Sequence, residues 1–408
     1  MANTVLTADI IAKEAVMILD NELVMAKKVF RGYEEDFAKK VNGYEVGDTI
    51  SIRRPTDFTV RNGAVAVAQD ATEGKTTIVI DQRKGIDFKF TSQDLTLKIE
   101  DLSERVIKPA MVQLANQVDV SLHSLYSSVP NWVGDPGQLI NSFADFAKAP
   151  ERLDEYAVPQ DDRCAVLCPA DHWALVGSQT TLFNDTINKP AYRQGNTGNV
   201  AGIDLYMTQN VATHTTGADL AGTVNQSVVT STITYAAVKD TNQQTITVAS
   251  LNVNAGDVFT IGALGAGVHA VNPVTKARLG FLKQFTVVSY SANTLVFSPA
   301  LVWTGAFKNG DVVGVTDLNT LAITGVGTAA TVYRQNMVFH KNAFALVSVP
   351  LISPPGAVDV GRRTYKGTSV RVVPVYDGIN DESMWRLDIL YGMKAIDPRL
   401  AVRLSGTA

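Results

Sequence analysis

A change of composition in the middle of the chain constrains the fold more than any other feature. From Gly217 to Thr331, charged residues become sparse, Thr, Val, Ala and Gly dominate, and the helical pattern disappears. Turn-forming clusters such as NAGD and KNGD separate short apolar runs, as in a small β-barrel or β-sandwich. The mixed pattern of the earlier residues resumes afterwards. The sequence therefore predicts an all-β domain, residues 217–331, inserted into one α+β body.

The N-terminal part predicts a helix followed by a long β-arm. Apolar residues recur at helical spacing from Thr7 to about Phe30, with charges on the other face, so residues 1–46 form an N-terminal helix or arm. Residues 47–90 alternate as strands do and carry an Asn-Gly turn signal and a polar tip, QDATEGK. An isolated two-stranded ribbon is barely stable in water. This extended arm therefore needs a surface to lie on, and another chain is one source of such a surface.

The longest helical pattern runs from Ser92 to about Val129 and predicts a spine helix. Leu and Val recur there in steps of three and four, and the Ser92 side chain can cap the first turn. Pro109 removes one backbone hydrogen bond, so we expect a kink or a break at that point. The spine helix belongs to a discontinuous α+β body, residues 91–216 and 332–408.

Charge and cysteine content argue against several classes of protein. The 408 residues include 36 basic and 40 acidic ones, so the chain lacks the basic balance of a protein that binds nucleic acid tightly. Charges interrupt the apolar runs, so we predict no signal peptide and no membrane span. Cys164 and Cys168 lie on one predicted strand, about 13 Å apart. That separation is too long for a disulfide, and we expect two buried thiols in a reducing compartment.

The sequence contains no recognisable catalytic, cofactor-binding or metal-binding motif. Five His residues are scattered without ligand spacing, the GALGAG run lacks the spacing of a dinucleotide fingerprint, and a nucleophile elbow is absent. We expect His123 to be a helix-face residue, His172 to serve packing or capping, and His269 to be a loop residue with one backbone hydrogen bond. The prediction is a protein that is not an enzyme and uses no cofactor or metal.

Several motifs, taken in their order, resemble the major capsid proteins of tailed bacteriophages. AGDVFTI followed by VHAVNPVTKARLGFLKQFTVVSY is similar to an inserted domain found in that group. GDTISIRRPTDFTV resembles the first strand of its extended loop, ANQVDVSLHSLY the end of its spine helix, and YGMKAIDPRLAVRL its C-terminal strand and tail. The order is that of the coat proteins of the Salmonella phage P22 type. These have the Hong Kong 97-type fold with an inserted domain, and the resemblance covers nearly the whole chain.

The resemblance implies a structural function. Hexamers and pentamers of one chain would form an icosahedral shell, with assembly directed by a scaffolding protein and a portal protein at one vertex. Double-stranded DNA would be packaged inside and touched only weakly, which suits the mild acidity of the chain. The protein would assemble in the cytoplasm of a host bacterium, without a membrane partner, and reside in the phage head.

Charged residues of the arm and of the inserted domain are the candidate subunit contacts. We predict that Gly262–Lys283 is a long loop that either stabilises the body or touches neighbouring subunits, and that it does no chemistry. Each exposed ion pair would contribute only ~0.2–1 kcal/mol, so many weak contacts would act together. The candidates are Arg53, Arg54, Asp57 and Arg61 of the arm and Lys276, Arg278 and Lys283 of the inserted domain.

Two alternatives from other classes remain at the level of the sequence. A tail or fibre component with a carbohydrate-binding β-domain predicts glycan binding and a trimer or small ring. An enzyme with a β-appendage, such as a hydrolase, predicts a pocket with convergent carboxylates. The long β-arm argues against the enzyme, because one compact monomer does not stabilise such an arm.

Overall fold

In the computed structural model of the protein, the chain divides into two compact units. The first consists of Met1–Ser51, Thr77–His123 and Phe344–Lys394, and the second of Ile52–Thr76, Ser124–Ala343 and Ala395–Ala408. The residues that the structure describes are 8–33, 49–54, 56–61, 63–64, 68–69, 71–91, 106–179, 198–228, 234–354, 360–378 and 382–407.

Strands outnumber helices in the described residues, and both occur in the body, which confirms the α+β class. The helices are α1 (Ala8–Glu22), α2 (Lys108–His123), α3 (Phe143–Glu155), α4 (Pro169–Gln179) and α5 (Tyr235–Val238). Short 3-10 helices lie at Met25–Lys27, Ser124–Ser128, Lys341–Ala343 and Pro398–Leu400. The strands up to the β-rich segment are β1 (Thr49–Arg53), β2 (Lys75–Thr91), β3 (Trp132–Val133), β4 (Arg163–Leu167), β5 (Asn199–Val200), β6 (Ile203–Met207) and β7 (Thr213–Thr215).

The described residues of the β-rich segment, 217–331, contain nine strands, and seven more strands follow in the described residues after it. Its strands are β8 (Ala221–Val224), β9 (Gln244–Ala249), β10 (Val258–Ala263), β11 (Ala266–Val271), β12 (Arg278–Leu282), β13 (Gln284–Ser291), β14 (Thr294–Ser298), β15 (Gly310–Val313) and β16 (Ala322–Gly325). The later strands are β17 (Val332–Arg334), β18 (Asn336–His340), β19 (Phe344–Ser348), β20 (Gly361–Tyr365), β21 (Thr368–Asp377), β22 (Glu382–Ala395) and, after the 3-10 turn at Pro398–Leu400, β23 (Ala401–Leu404).

The first unit is built on a long antiparallel sheet with the strand order β1-β2-β22-β21-β20, in which β19 also pairs with β22. Helices α1 and α2 pack on one face, where the hydroxyls of Ser121 and Tyr391 lie 2.9 Å apart. Both predicted arm strands are present as β1 and β2. However, β22 pairs with β2 from Ile80 to Thr91. The arm's own chain therefore supplies part of the surface that the ribbon needs.

The first helix ends earlier than the sequence pattern predicts, at Glu22 rather than near Phe30. The Asp119 carboxylate of α2 accepts hydrogen bonds from the backbone N–H groups of Val24 and Ala26, over 2.8 and 3.1 Å. These two N–H groups therefore bond to the carboxylate and do not continue the hydrogen-bond pattern of α1. A carboxylate is a strong acceptor for the N–H groups that begin a new turn. The chain then forms the 3-10 turn at Met25–Lys27.

Pro109 lies in the first turn of α2, and residues 106 and 107 directly before this helix form a π-helical turn. The expected kink or break at Pro109 stays a prediction, because it depends on the course of the helix on both sides of this residue. The earlier part of the predicted spine helix, residues 92–105, lies outside the described residues.

The second unit contains a mixed sheet with the order β3-β23-β18-β4-β6-β5. The β23–β3 and β4–β6 pairs are parallel, and the other pairs are antiparallel. Cys164 lies on β4 and Cys168 directly after it, and both thiols are buried and outside any disulfide, as the sequence predicts. His172, in the first turn of α4, is buried and packs edge-on against Trp173.

Six strands of the β-rich segment pair in a closed ring. The order β10-β13-β14-β9-β8-β16 returns to β10, and each pair is antiparallel. Three aromatic rings, those of Phe259, Phe285 and Phe297, contact one another at the centre of its core. Strand β7 before the segment pairs with β17 after it, with Thr215 opposite Val332. The chain therefore leaves and re-enters the mixed-sheet region at one place.

The prediction of a long loop from Gly262 to Lys283 is wrong. The stretch forms β11 and β12, and β11 lies between β12 and β15. Gly262 permits the tight turn into β11 because it adopts a φ of +82°. His269 is accordingly a buried strand residue, with its ring nitrogens 2.9 and 3.3 Å from the carbonyl oxygens of Leu264 and Leu279.

Candidate subunit interface

The first two arginines of the arm differ in exposure and in contacts. The Arg53 side chain is 82% exposed, and its guanidinium forms an ion pair with Glu73 across the arm, over 3.2 Å. Arg54 donates a hydrogen bond to the hydroxyl of Thr76 over 2.8 Å. Arg53 is therefore accessible to a neighbouring molecule, whereas Arg54 mainly joins the two sides of the arm.

Asp57 and Lys276, two candidates from distant parts of the sequence, lie together in the structure. Their charged atoms are 3.6 Å apart, and both side chains are partly exposed. Arg278 is exposed at the start of β12. Arg61 is also exposed and donates to the carbonyl oxygen of Gly63. The arm thus contacts the β-rich segment of its own chain through two of the candidate residues.

Lys283 differs from the surface contact expected of it, because its side chain is buried. Its ammonium donates a hydrogen bond to the backbone carbonyl of Asn309 over 2.8 Å. Burial, assisted by the positive charge of Arg399, lowers the pKa of Lys283 to about 7. This lysine joins two parts of the β-rich segment and has no exposed charge to offer a neighbour.

The end of the predicted polar tip, at Gly74 and Lys75, is also fixed to the β-rich segment by contacts that the sequence analysis missed. The backbone N–H of Lys75 donates to the Asp240 carboxylate over 3.0 Å. Gly74 passes so close to the Lys239 carbonyl that a Cβ atom at this position would lie 2.5 Å from its oxygen. The Tyr235 ring, beside Gly74, stacks on Phe307 with a centroid distance of 3.5 Å.

A buried hydrogen-bond network connects the β-rich segment to the rest of the second unit. His214 Nε2 lies 2.7 Å from the Asp257 carboxylate, and His214 Nδ1 lies 3.0 Å from the Tyr126 hydroxyl. The other oxygen of Asp257 accepts from the backbone N–H groups of Gly217 and Asn254, over 3.0 and 2.7 Å. One carboxylate therefore holds the first residue of the segment and the NAGD turn together.

Arg403 of β23 extends this network. Its side chain is fully buried, and its guanidinium donates to the Gly256 carbonyl over 2.8 Å and to the Gln335 amide oxygen over 3.3 Å. The guanidinium also lies 5.1 Å from the centre of the Tyr126 ring. Burial lowers the pKa of Arg403 to about 9, although the neighbouring Tyr126 and Asp257 oppose the shift.

The Tyr-His-Asp arrangement has the composition of a catalytic group, but its environment is that of a structural anchor. His214 and Asp257 are 5% and 2% exposed, so a substrate cannot reach either of them. Within the part of the chain that the structure describes, no cluster of His, Cys, Asp or Glu is arranged to hold a metal ion. The one sequence signal for this site is the AGD motif, because Asp257 is its last residue.

Among the described residues, no helix is long and apolar enough to cross a bilayer.

Comparison with known proteins identifies relatives along the whole length of the chain. The family described as P22 coat protein, gene protein 5, matches residues 1–406. A curated relative, the major capsid protein of Acyrthosiphon pisum secondary endosymbiont phage 1, is 22% identical over 439 residues. The alignment covers 98% of this chain and 97% of the relative.

Solved structures of phage proteins are also similar to the chain. A chain from Mycobacterium phage Che8 is 15% identical with a TM-score of 0.49, and the match covers 93% of this chain and 90% of that one. A chain from the capsid of Ralstonia phage GP4 is 9% identical with a TM-score of 0.42, covering 95% and 92%.

The family match and the curated relative define a structural protein of a virus particle. The match over nearly its full length shows that the chain belongs to the P22 coat protein family. It is a major capsid protein of a phage, a component of the virion and not an enzyme, as the sequence predicts. The tail-fibre and hydrolase alternatives are set aside by this family membership.

Proposed function

We propose that the protein self-assembles into the closed icosahedral head of a phage, as hexamers and pentamers that enclose double-stranded DNA. The observation that carries this proposal is the family match over residues 1–406. The slightly acidic composition supports a container that holds DNA with only weak contact. A scaffolding protein and a portal protein are the further partners, and assembly takes place in the cytoplasm of the host bacterium.

The proposed fold is the Hong Kong 97-type fold with an inserted all-β barrel. Its parts are an N-terminal arm (1–46), an extended arm (47–90), a discontinuous body (91–216 and 332–408) and the insertion (217–331). The closed ring of six antiparallel strands supports a barrel, and the β7–β17 pair supports an insertion at one point of the body.

The proposed subunit contacts use the charges that remain accessible in the single chain. The Arg53 side chain is largely exposed, and Arg61 and Arg278 are exposed as well. The Asp57–Lys276 pair is partly exposed, and each residue can exchange its partner for one on a neighbouring subunit. Each such pair contributes only ~0.2–1 kcal/mol, so wrong contacts dissociate while the complete shell is stabilised by their number.

The test is to express the chain with and without the candidate scaffolding protein of the same phage. Sedimentation velocity and negative-stain microscopy would then be applied to both samples. We expect closed shells tens of nanometres across in at least one sample. A stable monomer or small oligomer in both samples, without shells or tubes, would overturn the proposal.

A further inference from the structure

Three arginines surround one buried carboxylate in the first unit. Asp388 of β22 is 1% exposed and accepts hydrogen bonds from Arg83, Arg371 and Arg386. Burial alone raises the pKa of Asp388, but the hydrogen bonds from the three arginines outweigh it and hold that pKa below its ordinary value. One guanidinium would be enough to neutralise this carboxylate, so the cluster carries a surplus of positive charge.

In the long sheet, the side chains that carry this surplus positive charge lie on one face. Arg362, Arg371, Asp388 and Gly85 are directly opposite one another on β20, β21, β22 and β2. Directly opposite residues of antiparallel strands point to the same face. Tyr391 lies three residues after Asp388 and points to the other face, where α2 packs. The arginine face is therefore the side of the long sheet away from that helix.

Gly85 provides the space for the cluster. A Cβ atom at this position would lie 2.5 Å from the nearer oxygen of Asp388. Without a side chain there, Arg83 reaches the carboxylate from the same strand over 3.0 Å. The backbone of β2 thus places a second arginine beside Asp388.

The arginine face contains more cations than its own carboxylates can balance. Arg362 and Arg371 are directly opposite, an arrangement of like charges that destabilises a sheet. Asp87 lies 3.8 Å from Arg386 and is half-exposed. Glu382, further along β22 on the same face, pairs with Lys89 over 2.9 Å. The four arginines around Asp388 therefore have two aspartates beside them, Asp388 and Asp87, since Glu382 is already paired with Lys89.

Two of the arginines are accessible from outside. The side chains of Arg83 and Arg386 are 42% and 44% exposed, and each contacts Asp388 through one nitrogen. A guanidinium has five N–H donors in a planar fork that matches a carboxylate. Donors of both residues consequently remain for an external carboxylate, while Asp388 fixes the orientation of the two forks.

We propose that the arginine face (Arg83, Arg362, Arg371 and Arg386) binds a carboxylate-rich surface of a second copy of this chain. The complementary surface lies at the end of α3 and the start of β4. It presents four exposed carboxylates, those of Glu151, Asp154, Asp161 and Asp162.

Within this acidic surface, Arg163 pairs with Asp154 over 2.6 Å, which leaves most of the negative charge unbalanced. The inference rests on the proposed self-assembly and assigns to it one contact and its chemistry.

The experiment reverses the charges on each surface. We expect Arg83→Glu/Arg386→Glu to abolish closed shells and the free subunit to keep its circular dichroism. Because Asp388 loses partners in this variant, Arg83→Gln/Arg386→Gln serves as a milder second variant and should lower the shell yield. The combination Arg83→Glu/Arg386→Glu/Glu151→Lys/Asp161→Lys should restore shells, since the paired charges are exchanged.

Controls separate this contact from general effects. Lys13→Glu/Lys108→Glu makes the same change of net charge at two exposed lysines of the first unit and should leave assembly intact. Equal loss in this control, normal assembly of the glutamine variant, or no recovery in the combined variant would overturn the proposed contact. So would full assembly of the arginine variants into shells that fail only to retain DNA, which would assign the face to phosphates. Failure of the wild type to assemble would instead refute the proposed function.

Discussion

Arg403, in the last strand, donates a hydrogen bond over 2.8 Å to the backbone carbonyl of Gly256, in the NAGD turn of the β-rich segment. The bond joins residues that are far apart in sequence, and it is completely buried. The β-rich segment is therefore held to the mixed-sheet region by a charged group, in addition to its two covalent connections.

Replacing Arg403 with Met should destabilise the protein by about 2–4 kcal/mol, because the Gly256 and Gln335 oxygens would lose a buried donor. Urea denaturation of the unassembled subunit measures the change. Arg278→Met, at an exposed site, should change the free energy of unfolding by less than about 0.5 kcal/mol. A similar effect of the two substitutions would refute the anchoring role.

Replacing Tyr126 with Phe should cost about 0.5–1.5 kcal/mol, because His214 would lose its hydroxyl partner. Tyr290→Phe is the matched control, since the Tyr290 hydroxyl contacts Asn293 at an exposed site over 3.3 Å. Thermal unfolding of both variants tests the difference. If the two substitutions lowered the melting temperature equally, the hydrogen bond from Tyr126 to His214 would contribute no more than an exposed one, and the prediction would be wrong.

His123 should make the first unit sensitive to acid. Its ring is fully buried, and neither nitrogen has a hydrogen-bond partner among the described residues. Burial lowers its pKa from 6.5 to about 4, so the unfolded chain takes up the proton first as the pH falls. Stability should decline as the pH falls from 6.5 through 4. In His123→Leu this part of the decline should disappear, as measured by denaturation at pH 7 and pH 4.5.

Asp119 should have the opposite pH dependence. Burial raises its pKa from 3.8 to about 6, although the backbone N–H groups of Val24 and Ala26 act against the shift. Its contribution is fully present below pH 3.8 and is lost as the pH rises through 6. The stability of Asp119→Asn relative to wild type should therefore improve between pH 4 and pH 7. A constant difference across this range would contradict the assigned shift.

The Asp57–Lys276 pair should contribute little to the isolated subunit. Its atoms are 3.6 Å apart and partly exposed, so a double-mutant cycle with alanine should give a coupling energy of ~0.2–1 kcal/mol. Raising the salt concentration should reduce it further. A coupling above ~2 kcal/mol would mean that the pair fixes the arm instead of remaining available for exchange.

Local patterns predicted the classes of element well, and they failed where contacts over long sequence distances decide the structure. The strands β10 and β13 were visible as DVFTI and QFTVVSY. The sequence pattern does not indicate strand β11 because, except for its first residue, this strand is buried throughout and so lacks polar-apolar alternation.

Contacts between distant residues also limit what the sequence predicts about the candidate functional residues. The sequence indicates Asp57 and Lys276 separately, each because of its charge. It does not predict that the two residues pair. The buried network, by contrast, depends on Arg403 reaching a turn 147 residues earlier. Nothing in the spacing of these residues signals that contact, and a buried cation is unexpected from the average preferences of arginine.

The side-by-side position of β7 and β17 has a consequence for how this protein can be altered. Neighbouring strands lie about 4.8 Å apart, so the two ends of the β-rich segment could be joined by a short turn or by any foreign domain whose termini are close together. Recombination at these two positions would exchange the whole segment without redirecting the chain on either side. The same junction offers a place to display a peptide or enzyme, provided that a substitute is found for the partners of Arg403 and His214.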